Sequence, residues 1–232
     1  MKRLFLILVV MVFAVSSAVA KGEEKEKAPK CTITLADGKT VSGYWIDMKT
    51  KKRSVGEFNI VPTIIAMTIA DTPDAKTGTD YNADDAVRFV AREGKDSVEY
   101  LSLYGQKPMT KPINLKASKY KSFWLVGYKK NGIIGFKGTE IQVFPGKNAL
   151  TGHAEFNNSS QSACFYCLEG ENVVVPYWSS TEAVSIGAKN TLRYSFERFP
   201  KVVEYVNKKE FKMKMINEDP IGFLDKVVEL KK

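Results

Sequence analysis

The amino-acid sequence predicts an α+β protein, mainly antiparallel β, built as one or two small sheets or barrels with a helical C-terminal segment. Three observations predict it. Apolar and polar residues alternate over short runs such as 63–69 and 86–92, the pattern of a sheet with one packed face and one wet face. The pairs Asp37-Gly38 and Asn131-Gly132 separate runs of this kind and suit tight hairpin turns. Near residue 192 the apolar spacing changes from a period of two to the helical period.

Taken in order, the first hairpin spans 32–36 and 39–45 around Asp37-Gly38, which fits the positive-φ positions of a type I′ turn. Residues 49–53 read as a basic loop. A strand at 63–69 places Ile65, Met67 and Ile69 on one face, and a loop carrying Pro73 spans 71–78. Residues 81–85 suit a short capped turn into strand 86–92, where Val87, Phe89 and Ala91 face one way and Arg88, Val90 and Arg92 the other. A turn at 93–96 leads to strand 97–104. Hairpins follow at 122–129 with 133–136 and at 163–168 with 172–178; shorter strands at 140–144 and 152–156, then a polar loop to 162, lie between them. In the tail, 192–199 and 201–206 are helical in spacing, and Pro200 suits a first turn. Phe211, Met215 and Ile216 continue that spacing. Asp219-Pro220 reads as the N-cap and N1 of a final helix burying Phe223, Leu224, Val227 and Val228, with Gly222 inside it at a cost of about 1 kcal/mol relative to alanine.

The organisation expected from this pass has five parts. Residues 1–20 form a signal peptide: Lys2 and Arg3, an apolar stretch from 4 to 15, and small residues at Ala18 and Ala20 before a cut ahead of Lys21. Residues 21–30 are a charged, apolar-poor disordered leader. Residues 31–105 are an N-terminal β-rich region, 106–121 a linker-like stretch with Pro108 and Pro112, and 122–232 the hairpins and C-terminal helices. The expected location is outside the cytoplasm, periplasmic, secreted or surface-associated, without a transmembrane segment in the mature form.

The formal net charge is +9, and removal of the signal would take away two of the 35 basic residues and none of the 26 acidic ones. Such a balance permits attraction to anionic surfaces. The lysines are spread along the sequence and export separates the chain from most nucleic acid, so no nucleic-acid partner is expected.

Candidate chemistry is sparse. Cys164-Phe165-Tyr166-Cys167 has the C-x-x-C spacing of thiol-disulfide proteins, but redox versions sit at a helix N-terminus and this one lies in a strand-like run, where positions i and i+3 face opposite ways. With three cysteines at most one intrachain disulfide can form. Cys31 could pair with Cys164 or Cys167, or all three could be reduced. His153 is the only histidine, which excludes paired-histidine metal sites, and no nucleophile motif lies beside it. The acidic groups around Asp71, Asp74, Asp84 and Asp85 lack calcium-loop spacing and suit turns and caps. No cofactor or metal is expected. The aromatic pairs Tyr44-Trp45, Phe123-Trp124 and Tyr177-Trp178 could stack on sugars if exposed, although one member of each should face the core. Asn157 and Asn158 begin Asn-x-Ser sequons.

The hairpin Leu35-Ala36-Asp37-Gly38-Lys39-Thr40-Val41-Ser42-Gly43-Tyr44, followed by Tyr81 to Asp85, resembles the opening of uncharacterised exported β-rich proteins of Bacteroidetes-type bacteria. The same hairpin resembles the first half of Sm-like small barrels. The first resemblance implies export and no known activity. Three functions remain in view: a non-catalytic binding or cell-envelope protein, a thiol-disulfide or carboxylate-based hydrolytic enzyme, and a carbohydrate or surface-ligand binder acting through exposed aromatics.

Overall fold

The computed structural model describes residues 28–56, 58–108, 110–138, 162–180 and 188–231. The signal peptide, the leader up to residue 27, the expected strands at 140–144 and 152–156, His153, Asn157 and Asn158 lie outside them.

Among the described residues the strands are β1 (Lys30–Leu35), β2 (Thr40–Val55), β3 (Phe58–Ala70), β4 (Thr79–Asn82), β5 (Ala86–Glu93), β6 (Asp96–Gln106), β7 (Ala117–Lys130), β8 (Ile133–Gly138), β9 (Ala163–Leu168) and β10 (Val173–Ser179). The helices are α1 (Ala188–Ser195), α2 (Pro200–Asn207), α3 (Lys214–Glu218) and α4 (Phe223–Leu230). All ten strands belong to one sheet, ordered β10-β9-β8-β7-β6-β5-β1-β2-β3-β4. Two extra pairings fold it back onto its middle: β3 meets β7 at Ile64 opposite Phe123, and β10 runs parallel to β6 at Val173 and Val174. The class is therefore mostly antiparallel β with a helical C-terminal segment, as expected, but the one or two small sheets are corrected to a single large one.

The shared strands β6 and β7 explain why one sheet suffices. Their side chains alternate into two cores. Tyr100 and Phe123 join a cluster with Ile33, Trp45, Met67 and Phe89, while Trp124, with Leu101 and Leu103, joins one with Phe136, Phe165 and Val174. Neither face of this part of the sheet is wet, so Phe123 and Trp124 are both buried and the expectation of one core ring per pair fails there. Trp124 keeps its indole N–H satisfied by donating to the Leu103 carbonyl at 2.9 Å.

A third core forms where the helices cover β8–β10. Ile133, Cys164, Tyr166, Val175 and Tyr177 meet Leu192, Phe196, Val202, Leu224 and Val227. Buried hydroxyls cross this interface with their hydrogen bonds made. Tyr166 donates to the Ser195 carbonyl at 2.6 Å, Ser195 to the Pro176 carbonyl at 2.6 Å, and Tyr177 to the Pro220 carbonyl at 2.8 Å. Arg198 then clamps the β9–β10 turn, donating from both terminal nitrogens to Glu171 at 2.9 Å while its guanidinium lies 5.5 Å from the Tyr166 ring and 5.3 Å from that of Phe199.

Local expectations are corrected at five places. Asp37-Gly38 does not make a type I′ turn: only Gly38 has positive φ, and Leu35 pairs with Lys39 around a three-residue loop in which Asp37 accepts the Lys39 amide at 2.9 Å. Residues 49–53 are strand, not loop, paired with β3 through two of its register shifts. Val87 is 48% exposed because β1 shifts register between Thr34, opposite Arg88, and Leu35, opposite Ala86, so Val87 is the bulged residue and Ala86 turns inward in its place. Ala83–Asp85 form a 3-10 turn without a side-chain cap from Asn82. The last helix starts at Phe223 with Gly222 at its N-cap position, so Gly222 does not weaken a helix interior. By contrast, Asn131 and Gly132 both adopt positive φ between β7 and β8, as a type I′ turn requires.

Candidate functional site

On the outward face of β1, β2 and β5 the pairing register assembles two cross-strand rows. Lys30 stands opposite Tyr44 on one side and Arg92 on the other; Thr32 stands opposite Ser42 and Val90. Inward neighbours Cys31 and Ile33 fill the core below, so these polar residues must face out. Strand spacing puts the three residues of a row across about 10 Å, and the two rows about 7 Å apart along the strand. An open groove of about 590 Å³ lies over them, completed by Gly43 and Gly94. Its size falls within the usual range for small-ligand sites.

Gly43 lets the floor of the groove form. A Cβ there would come within 2.6 Å of the Ala70 carbonyl oxygen and the Ile69 side chain, so the end of β3 closes under β2 only because position 43 is bare. Gly94 has positive φ and turns β5 into β6 beside Arg92.

Among the described residues the groove is electrically one-sided. Its ionisable lining beyond Cys31 and Tyr44 is Lys30 and Arg92, and neither forms an ion pair among the described residues. The nearest acid by register on that face is Glu99, opposite Val90, and Arg88 engages it. Thr32 and Ser42 add hydroxyls 3.4 Å apart. Two cations, two hydroxyls and a half-buried tyrosine make a surface with hydrogen-bond donors that could serve an anion.

The residues singled out in the sequence go elsewhere. Cys31, Cys164 and Cys167 are free, and the structure buries them in three different cores, so it does not bring Cys31 to either of the others. Cys164 faces the helices while Cys167 faces the opposite core, the divergence a strand imposes on i and i+3. Burial pushes all three thiols up to about 12. That is the reverse of the lowered value a reactive thiolate needs. Of the six paired aromatics, Trp45, Phe123, Trp124 and Tyr177 are buried; Trp178 is half-buried and donates to Asn217 at 3.0 Å; Tyr44 alone lines the groove. Ala18, Ala20 and Lys21 lie outside the described residues. Among the described residues no group of three or more His, Cys, Asp or Glu could hold a metal ion.

Sequence reasoning missed the groove because Lys30 reads as the end of a leader and Arg92 as one charge on a wet face. Only the β1–β5 register joins them. Comparison with protein-family models, with curated proteins and with solved structures finds no match for this chain.

Proposed function

We propose that the protein is an exported, non-catalytic binding protein of the cell envelope that takes an anionic ligand in the groove across β1, β2 and β5. The observation that carries the reading is the row Arg92–Lys30–Tyr44, two cations without ion pairs among the described residues beside an aromatic ring. Cations and hydroxyls arranged this way bind carboxylate or phosphate. Lacking a base set beside a nucleophile, they have no bond-breaking step to drive. Tyr44, Thr32 and Ser42 favour an acidic saccharide over a bare ion, because a ring and hydroxyls match a sugar's faces and edges. The export half of the reading is supported by Lys2, Arg3, the apolar stretch and the small residues Ala18 and Ala20.

The test is calorimetric titration with an oligouronate, a hexose phosphate and their neutral parent sugars. The acidic compounds should bind, more weakly as salt rises, and the neutral ones should bind at least tenfold less tightly. Equal affinity for charged and neutral sugars, or none for any acidic one, ends the proposal.

A further inference from the structure

The segment joining β6 to β7, together with the first residues of β7, carries a second feature, unconnected with the groove. Residues 107–121 contain five lysines, at 107, 111, 116, 119 and 121, and no acidic residue. The structure links Lys107 to Lys116, and it links Lys119 and Lys121 to Arg53 and Tyr120. The Lys107 amide donates to the Lys116 carbonyl at 2.8 Å and closes the connection into a loop, with a 3-10 turn at Pro112–Asn114 projecting from it. Arg53, from the far end of β2, adds a sixth cation, donating to the Lys121 carbonyl at 2.7 Å and to Ser122 Oγ at 3.0 Å. The two acids that reach the segment, Asp84 and Glu197, accept backbone amides of Lys121 and Ile113, and none of the five lysines is ion-paired among the described residues.

Two apolar groups stand out among these charges. Ile113 is 61% exposed and Tyr120 is 45% exposed, although large exposed hydrophobics are few in the described residues. Pro112 beside Ile113 is buried, so the turn is anchored on one residue while the next is presented to solvent. Two cations lie near the Tyr120 ring, the Arg53 guanidinium and Lys119 Nζ each 5.2 Å from its centre.

We propose that this segment seats the protein on an anionic phospholipid surface, its lysines and Arg53 at the headgroups and Ile113 and Tyr120 in the interface. Charge complementarity selects an anionic partner. The apolar pair selects a bilayer over a soluble polyanion, because a polyanion gains nothing from an isoleucine, whereas the boundary between headgroups and acyl chains accommodates branched apolar and tyrosyl side chains. No helix among the described residues is long and apolar enough to cross a membrane.

The experiment is co-sedimentation of the full mature chain with vesicles of phosphatidylglycerol and phosphatidylcholine, and with pure phosphatidylcholine, at low and high salt. Binding should need the anionic lipid and weaken with salt. Lys111→Gln and Lys119→Gln should each lower partitioning about fivefold. Ile113→Ser should lower it further at unchanged salt dependence, while Met215→Ser, a control at another exposed apolar position, should not. The proposal is overturned if the wild type ignores anionic vesicles, if it binds pure phosphatidylcholine equally, or if Ile113→Ser sediments like wild type while the lysine variants are released, which assigns the patch to soluble polyanions. All the substituted side chains are exposed or half-exposed, and the salt and lipid comparisons on the wild type decide the matter even if a variant unfolds.

Discussion

Phe196→Ala is expected to destabilise the protein by about 3–5 kcal/mol, the range for deleting a buried aromatic side chain. Phe196 is fully buried and stacks on Tyr166 with ring centres 4.8 Å apart, with Tyr177 at 5.5 Å and Phe223 at 5.6 Å. It therefore touches the sheet on one side and the last helix on the other. For a chain of this size the loss corresponds to a fall in melting temperature of about 6–20 °C. Met215→Ala, at a helix position 55% exposed, should change stability by less than about 0.5 kcal/mol. If the helices were only appended to the sheet, urea unfolding of Phe196→Ala would show an early partial transition with the sheet unaffected. A single shifted transition is the outcome expected here.

The second large effect is alkaline. Cys31, Cys164 and Cys167 each have a folded-state value pushed up to about 12 by burial, against an ordinary value of 9.0. Tyr128 is likewise raised to about 12, by desolvation first and then by Asp225, to which its hydroxyl donates. Groups whose folded values are raised contribute stability in full below their unfolded values and lose it as pH rises toward the folded ones. The loss should thus run from about pH 9 to about pH 12, on the order of 1 kcal/mol per thiol per pH unit. Urea midpoints measured across that range should fall steeply, and a Cys167→Ala variant should fall less steeply from a lower start. The same burial predicts that a thiol reagent counts no rapidly reacting cysteine in the native protein at neutral pH and three after denaturation. Rapid reaction of Cys164 or Cys167 in the native state would revive the thiol-disulfide reading.

What was legible in the sequence was local. Asn131-Gly132 fixes a hairpin because both residues tolerate positive φ, and Pro200 starts α2 because a first-turn residue needs no amide to donate. Residues 49–53 were not legible as strand, since the stretch between Met48 in one core and Val55 in another carries only exposed or half-buried side chains and so lacks the apolar alternation that marks a strand. The split into small sheets failed at β6 and β7, where Tyr100 with Leu101 and Phe123 with Trp124 are apolar on both faces, a pattern that marks a shared wall only once a second core is known to lie behind it. The groove failed for the same reason: Lys30 and Arg92 come together through a long-range register that no local period encodes.

The central claim is that Lys30 and Arg92 together hold the charged part of a ligand. Its most direct test is titration of the Lys30→Glu/Arg92→Glu variant with whichever acidic saccharide the wild type binds best, after thermal unfolding shows the variant folded. A loss of binding of a hundredfold or more, with Lys51→Glu/Lys52→Glu unaffected, is the predicted result. Undiminished affinity in the groove variant would contradict the claim and place the anion elsewhere on the protein.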